Sequence, residues 1–133
     1  MQRSVLDSFA LLAFLFKEAG SEKVLAVLEA ALEQNEAVYM AAPNWAEVCY
    51  IIERRKGPDE WPNVRSMLLA LPLEIRQADQ ALAEAAGHIK SIKKMSLADC
   101  FAAALAKELK ADLYTGDPEF HEVEDDLKIV WLK

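Results

Sequence analysis

The chain has 133 residues, 53% of them hydrophobic, which is enough for the core of one compact domain and argues against disorder. Fifteen Lys and Arg stand against twenty-two Asp and Glu, a formal charge of −7. Such a chain has no general attraction for nucleic acid, so any role there must rest on local basic patches or bound metal.

Cys49 and Cys100, with two histidines, form neither a disulfide framework nor a zinc-ligand spacing. They suit a reduced, cytoplasmic setting. The apolar run at 9–16 is too short to cross a bilayer. Only Arg3 is basic before it, and Lys17-Glu18 follow without a small-residue cleavage site, so a mature cytosolic N-terminus is expected.

Ser4-Val5-Leu6 is a short apolar run ending at Asp7 and predicts a first strand. Residues 8–19, rich in Ala, Leu and Phe, predict a helix stopped by Gly20. Phe9, Leu12, Phe14, Leu15 and Phe16 crowd it, more than one core face can take, which suits an interface. Ser21 opens a second helix with an apolar stripe at Val24, Leu28, Ala31 and Leu32. A second strand is expected over 37–41, then a helix over 45–56 that Gly57-Pro58 closes. Residues 58–71 read as helical again, 73–75 as a minor strand, and 77–93 as a helix that tolerates Gly87. The Ala-rich stretch 96–110 predicts a further helix. Strands at 112–115 and 128–132 are separated by the turn Gly116-Asp117-Pro118. The alternation predicts a three-layer α/β/α domain with a mostly parallel central sheet of four or five short strands. Ligands of such sheets collect at the carboxyl ends of the strands.

Three acids, Asp7, Glu47 and Asp117, are expected at that edge, and a fourth, Asp99, joins them if its helix starts there. Asp7 follows the first strand, and Glu47 lies in the first turn of the helix after the second. Asp99 lies in the first turn of the Ala-rich helix, and Asp117 follows the strand ending at Thr115. Each alone has an ordinary structural role. Asp7 can cap a helix, Asn44-x-x-Glu47 and Ser96-x-x-Asp99 resemble capping boxes, and Asp117 fits a turn. Together they carry more weight. Asp99 sits on an otherwise apolar helix face, where a carboxylate is costly unless paired or metal-bound. Clustered carboxylates stay ionised only when cations compensate. Oxygen ligands without His or Cys point to Mg2+ or Mn2+ and to phosphoryl chemistry.

Four segments in order now form a pattern: Val5-Leu6-Asp7-Ser8, Asn44-Trp45-Ala46-Glu47-Val48, Leu97-Ala98-Asp99-Cys100, and Tyr114-Thr115-Gly116-Asp117-Pro118-Glu119. Over essentially its whole length, 1–133, the chain resembles a PIN-domain ribonuclease, most closely the VapC-type toxins of toxin–antitoxin pairs. The resemblance implies a single PIN-like domain and a metal-dependent endoribonuclease leaving 5′-phosphate and 3′-hydroxyl ends. It implies catalytic and metal-holding roles for Asp7, Glu47, Asp99 and Asp117, with Mg2+ or Mn2+ as cofactor. Ser8, Asn44 and Thr115 match supporting positions, and Glu119 is a substitute or helper for Asp117. A homodimer and an antitoxin with a basic C-terminal segment are the implied partners.

Lys93 and Lys94, shortly before Asp99, are candidate RNA contacts, against the alternative of a solvated helix end. His88 and His121 have nothing in sequence to bring them together as acid and base. Two other readings stand beside the nuclease. A different magnesium-dependent phosphoryl-transfer protein lacks its expected acids, since Val5-Leu6 precede Asp7 and Phe9 stands two positions after it. A non-catalytic binding module would use the acids only as caps and as a docking patch.

Overall fold

The computed structural model describes residues 2–133. Its strands are β1 (Ser4–Leu6), β2 (Val38–Ala41), β3 (Leu73–Arg76), β4 (Asp112–Thr115) and β5 (Ile129–Trp131). Its α-helices are α1 (Ser8–Leu15), α2 (Ser21–Glu33), α3 (Ala42–Lys56), α4 (Trp61–Leu69), α5 (Gln80–Ile92) and α6 (Leu97–Leu109). Short 3-10 turns occupy Pro58–Glu60 and Pro118–Val123. All strand pairs are parallel, in the order β3-β2-β1-β4-β5. This is the expected three-layer α/β architecture, and the minor strand at β3 is real.

Alternation along each strand separates two cores. Val5, Ala41 and Leu113 face α5 and α6, packing on Leu82, Ala86, Ile89, Leu105 and Phe120. Leu6, Val38, Met40 and Leu73 face α1–α4, packing on Leu11, Val24, Leu28, Val48, Ile52 and Leu68. The buried alanines Ala102, Ala103, Ala104 and Ala106 keep α6 slim where it lies on the sheet. From β1 the chain passes to β2 through α1 and α2. It returns to the other side of β1, at β4, through α5 and α6. The strand order therefore reverses between β1 and β4, where open α/β sheets form a ligand crevice.

Several boundaries differ from the sequence expectation. The first helix ends at Leu15 rather than Ala19, because Lys17 adopts a left-handed φ of 54° that breaks the helical path. The crowded aromatics do not form an exposed patch. Leu12 is buried, and Phe9, Phe14, Leu15 and Phe16 are half-buried against the α1–α4 core. The helix α3 starts earlier than expected, at Ala42, because Pro43 fits the first turn, where its missing N–H is not needed. Asn44 thus lies within the helix, and its side chain does not cap it. The helix α5 begins at Gln80, capped by Asp79, rather than at 77. The turn after β4 continues as the unforeseen 3-10 segment Pro118–Val123, which Asp117 caps. Among the described residues, no helix is long and apolar enough to cross a membrane.

Candidate metal centre

The reversal point between β1 and β4 positions the acids. Asp7, directly after β1, is 1% exposed. Its Oδ1 accepts from the Ala10 N–H at 2.8 Å, which caps α1. Its Oδ2 accepts a short hydrogen bond from the Thr115 hydroxyl. Thr115 Oγ1 in turn accepts from the Asp117 N–H at 3.0 Å, so one buried hydroxyl ties the ends of β1 and β4 together. The Asp117 Oδ1 accepts from the Glu119 N–H at 2.9 Å.

The α6 start supplies Asp99, 6% exposed, its N–H bonded to the capping Ser96 Oγ at 3.2 Å. Glu119 reaches the same helix start, where its Oε1 accepts from the Ser96 N–H at 2.8 Å. Carboxylate oxygens of Asp99, Asp117 and Glu119 lie within 4.8 Å of one another. Glu47 stands beside them rather than within that trio. Its Oε1 accepts from Ser8 Oγ at 2.8 Å and from Asn44 Nδ2 at 3.4 Å. Asn44 also donates to the Ala98 carbonyl at 3.3 Å, which joins the starts of α3 and α6. The expected capping box of Asn44 and Glu47 is therefore replaced by a side-chain contact. The Ser96-x-x-Asp99 cap forms as expected.

Electrostatics bind the acids into one system. Burial pushes the Asp7 carboxyl up to about 7. The hydrogen bonds from Thr115 and Ala10 oppose that rise, and the charges of Asp117 and Glu47 add to it. Burial likewise pushes Asp99 up to about 8, helped by the adjoining Glu119 carboxylate and the charges of Asp117 and Asp7. Buried carboxyls that repel one another in this way are the groups whose charge a bound cation would compensate. The donor set suits a hard divalent cation, because the clustered ligands are carboxylates without imidazole or thiolate. The buried Asn44 Oδ1 also has no hydrogen-bond partner in the protein, leaving an oxygen for a water or cation-bound ligand.

The remaining sequence candidates are more dispersed. Lys94 is exposed, and its backbone N–H donates to Glu122 Oε1 at 3.0 Å. Lys93 is half-buried. The neighbouring Lys90 holds the turn before α6, donating from Nζ to the Met95 carbonyl at 2.7 Å. His88 is exposed on α5, whereas His121 pairs with Glu124 at 2.9 Å. Sequence reasoning missed two features. Gly116 lets the Phe9 ring close over the end of β4, where an added Cβ would lie 2.3 Å from Phe9 Cε1. The stack of His121 on Trp131, beside Gly116, has no local sequence signal.

This geometry places a carboxylate cluster suited to a hard divalent cation at the β1–β4 reversal of a parallel α/β sheet. The PIN domain family model matches residues 4–126, and the chain belongs to that family. It is 30% identical over 125 residues to VapC ribonuclease Mb2780c of Mycobacterium bovis, with 86% of each chain covered. It has the same identity and coverage with Ribonuclease VapC42 of Mycobacterium tuberculosis. The fold is similar to that of the DNA-bound VapBC structure from Salmonella typhimurium, with a TM-score of 0.75, 16% identity and full coverage of both chains.

Proposed function

We propose that this chain is an endoribonuclease, the toxin of a type II toxin–antitoxin pair, and that it hydrolyses RNA phosphodiesters with Mg2+ or Mn2+. The observation that carries this reading is the convergence of Asp7, Asp99, Asp117 and Glu119 at the sheet reversal, with the two buried carboxyls pushed up toward neutrality. Family membership and the VapC relatives support the substrate class.

Asp99, Asp117 and Glu119 would hold the cation, with Asp7 and Glu47 contributing directly or through water. When bound, the cation would supply an activated water and compensate charge on the phosphate. Thr115 fixes one oxygen of Asp7, so the carboxylate is already oriented in the protein alone. Ser8 and Asn44 fix Glu47 in the same way. Lys93 and Lys94 sit just before α6 and are suited to contacting phosphates flanking the cut.

The partners we propose are an antitoxin with a basic C-terminal segment and a second copy of this chain. The charge of −7 favours a basic partner segment over the acids. The test is cleavage of a total RNA pool by the wild type and Asp99→Asn, with Mg2+, Mn2+ or chelator, followed by mapping of the ends. The proposal expects metal-dependent cleavage leaving 5′-phosphates, lost in Asp99→Asn by at least about a hundredfold. Cleavage that persists in chelator or in Asp99→Asn, or none by a folded wild type, overturns it.

A further inference from the structure

We infer that His121 and Trp131 form a stacking seat for an unpaired nucleobase of the RNA, next to the acids. The inference rests on the nuclease reading above and extends it to a substrate contact. His121 stacks on Trp131 with ring centroids 4.4 Å apart and planes inclined at 27°. The His121 side chain is 61% exposed, so a face of the stack is open to solvent. Glu124 holds the ring through Nδ1 at 2.9 Å, which restricts the orientation of the imidazole.

The place of this stack ties it to the chemistry. Trp131 lies opposite Thr115 in the β4–β5 register, and Thr115 is the residue that aims Asp7. The two rings line an open depression of about 510 Å³ with Gly116, Pro118 and Lys133. Gly116 and Pro118 flank Asp117 in the chain, so two residues lining the depression are backbone neighbours of one carboxylate of the cluster.

The ring chemistry selects the ligand. Glu119, Glu122 and Glu124 are all exposed on the same 3-10 segment and its end, so the attraction at the rings comes from stacking on the base rather than from its phosphates. Every nucleobase offers a π-face, and stacking on aromatic side chains is the usual means by which proteins hold single strands. A base in a duplex already has both faces covered, so the seat takes an unpaired nucleotide. Lys133 lines the same depression with Nζ 5.0 Å from the centroid of the Phe9 ring, and it is the cation within reach of the attached phosphate.

The test binds a short single-stranded oligoribonucleotide to the full chain in chelator, which separates binding from cleavage, and follows tryptophan emission. Trp45 and Trp61 pack against each other at 5.1 Å and do not line this depression, so the part of the emission change that Trp131→Phe removes is the reporter. RNA is expected to quench the wild type, and Trp131→Phe should lose most of that quench. His121→Ala, an exposed substitution that leaves the core untouched, is expected to weaken binding about tenfold. It should raise KM for cleavage with little change in kcat, while His121→Phe restores both. Wild-type emission that RNA does not change, or His121→Ala binding and cleaving like wild type, overturns the seat. Cleavage that is normal but indifferent to His121 leaves the nuclease reading standing and removes the seat. Quenching that depends on His121 in a protein that cleaves no RNA does the reverse.

Discussion

Without metal, this fold should lose stability as pH rises from about 4 to about 8. The cause is Asp7, which titrates at about 7 in the fold against 3.8 in a solvated chain. Between those two values the native state keeps a proton that the unfolded chain has released. The native state is therefore favoured at the acidic end and loses ground as pH climbs through the window. Each tenfold is worth ~1.4 kcal/mol, so ionising Asp7 above pH 7 costs the apo fold about 4 kcal/mol. Asp99, pushed up to about 8, acts in the same direction. For a domain of this size the loss corresponds to a fall of roughly 10 °C in Tm. The assay is a series of urea and thermal melts in chelator across that pH range, for wild type and Asp7→Asn. Asn can keep the cap on Ala10 through Oδ1, while its Nδ2 donates to Thr115 Oγ1 in place of the bond Asp7 Oδ2 accepts, and it carries no charge. Its melts should be more stable than wild type near pH 8 and should depend less on pH. Saturating Mn2+ should restore the wild type by mass action. Apo stability that is flat or rising over this range, or an unchanged slope in Asp7→Asn, refutes the reasoning.

Two further substitutions test the frame around the site. Gly20 has φ +88°, and a Cβ there would lie 2.5 Å from Leu132 Cβ and 2.7 Å from its carbonyl oxygen. Backbone cannot give way as a side chain can, so Gly20→Ala should cost about 2–4 kcal/mol in a urea melt. Thr115→Val removes both the donor to Asp7 and the acceptor for the Asp117 N–H. It should cost about 1–3 kcal/mol and lower RNA cleavage, whereas Thr115→Ser should stay near wild type in both assays.

The strands were legible because each apolar run is bounded by a residue that stops it: Asp7, Pro43 and Gly116. The parallel alternation predicts Asp7, Glu47 and Asp117 at one edge, with Asp99 joining only if its helix starts there, while Glu119, which completes the observed trio, is expected only as a substitute or helper for Asp117. Helix ends were less legible. The left-handed Lys17 that ends α1 carries a side chain of no special turn preference, and Pro43 marks a helix start as readily as a strand end. What the sequence could not carry are contacts between distant segments. The Asn44 amide reaches Ala98 across 54 residues, and Glu119 reaches Ser96 across 23. These two bonds draw the starts of α3 and α6 and the turn after β4 into one site. The His121–Trp131 stack depends in the same way on the 3-10 segment folding back along β5.

At the centre of this picture, the buried carboxyls of Asp7 and Asp99 are pushed up by burial, and a divalent cation would displace their protons. Calorimetric titration of Mn2+ into the metal-free chain near pH 7, in buffers of different ionisation enthalpy, measures binding and proton release together. The account predicts saturable binding to the wild type with release of about one proton or more, and neither in Asp99→Asn. Binding without proton release, or equal binding by Asp99→Asn, contradicts it.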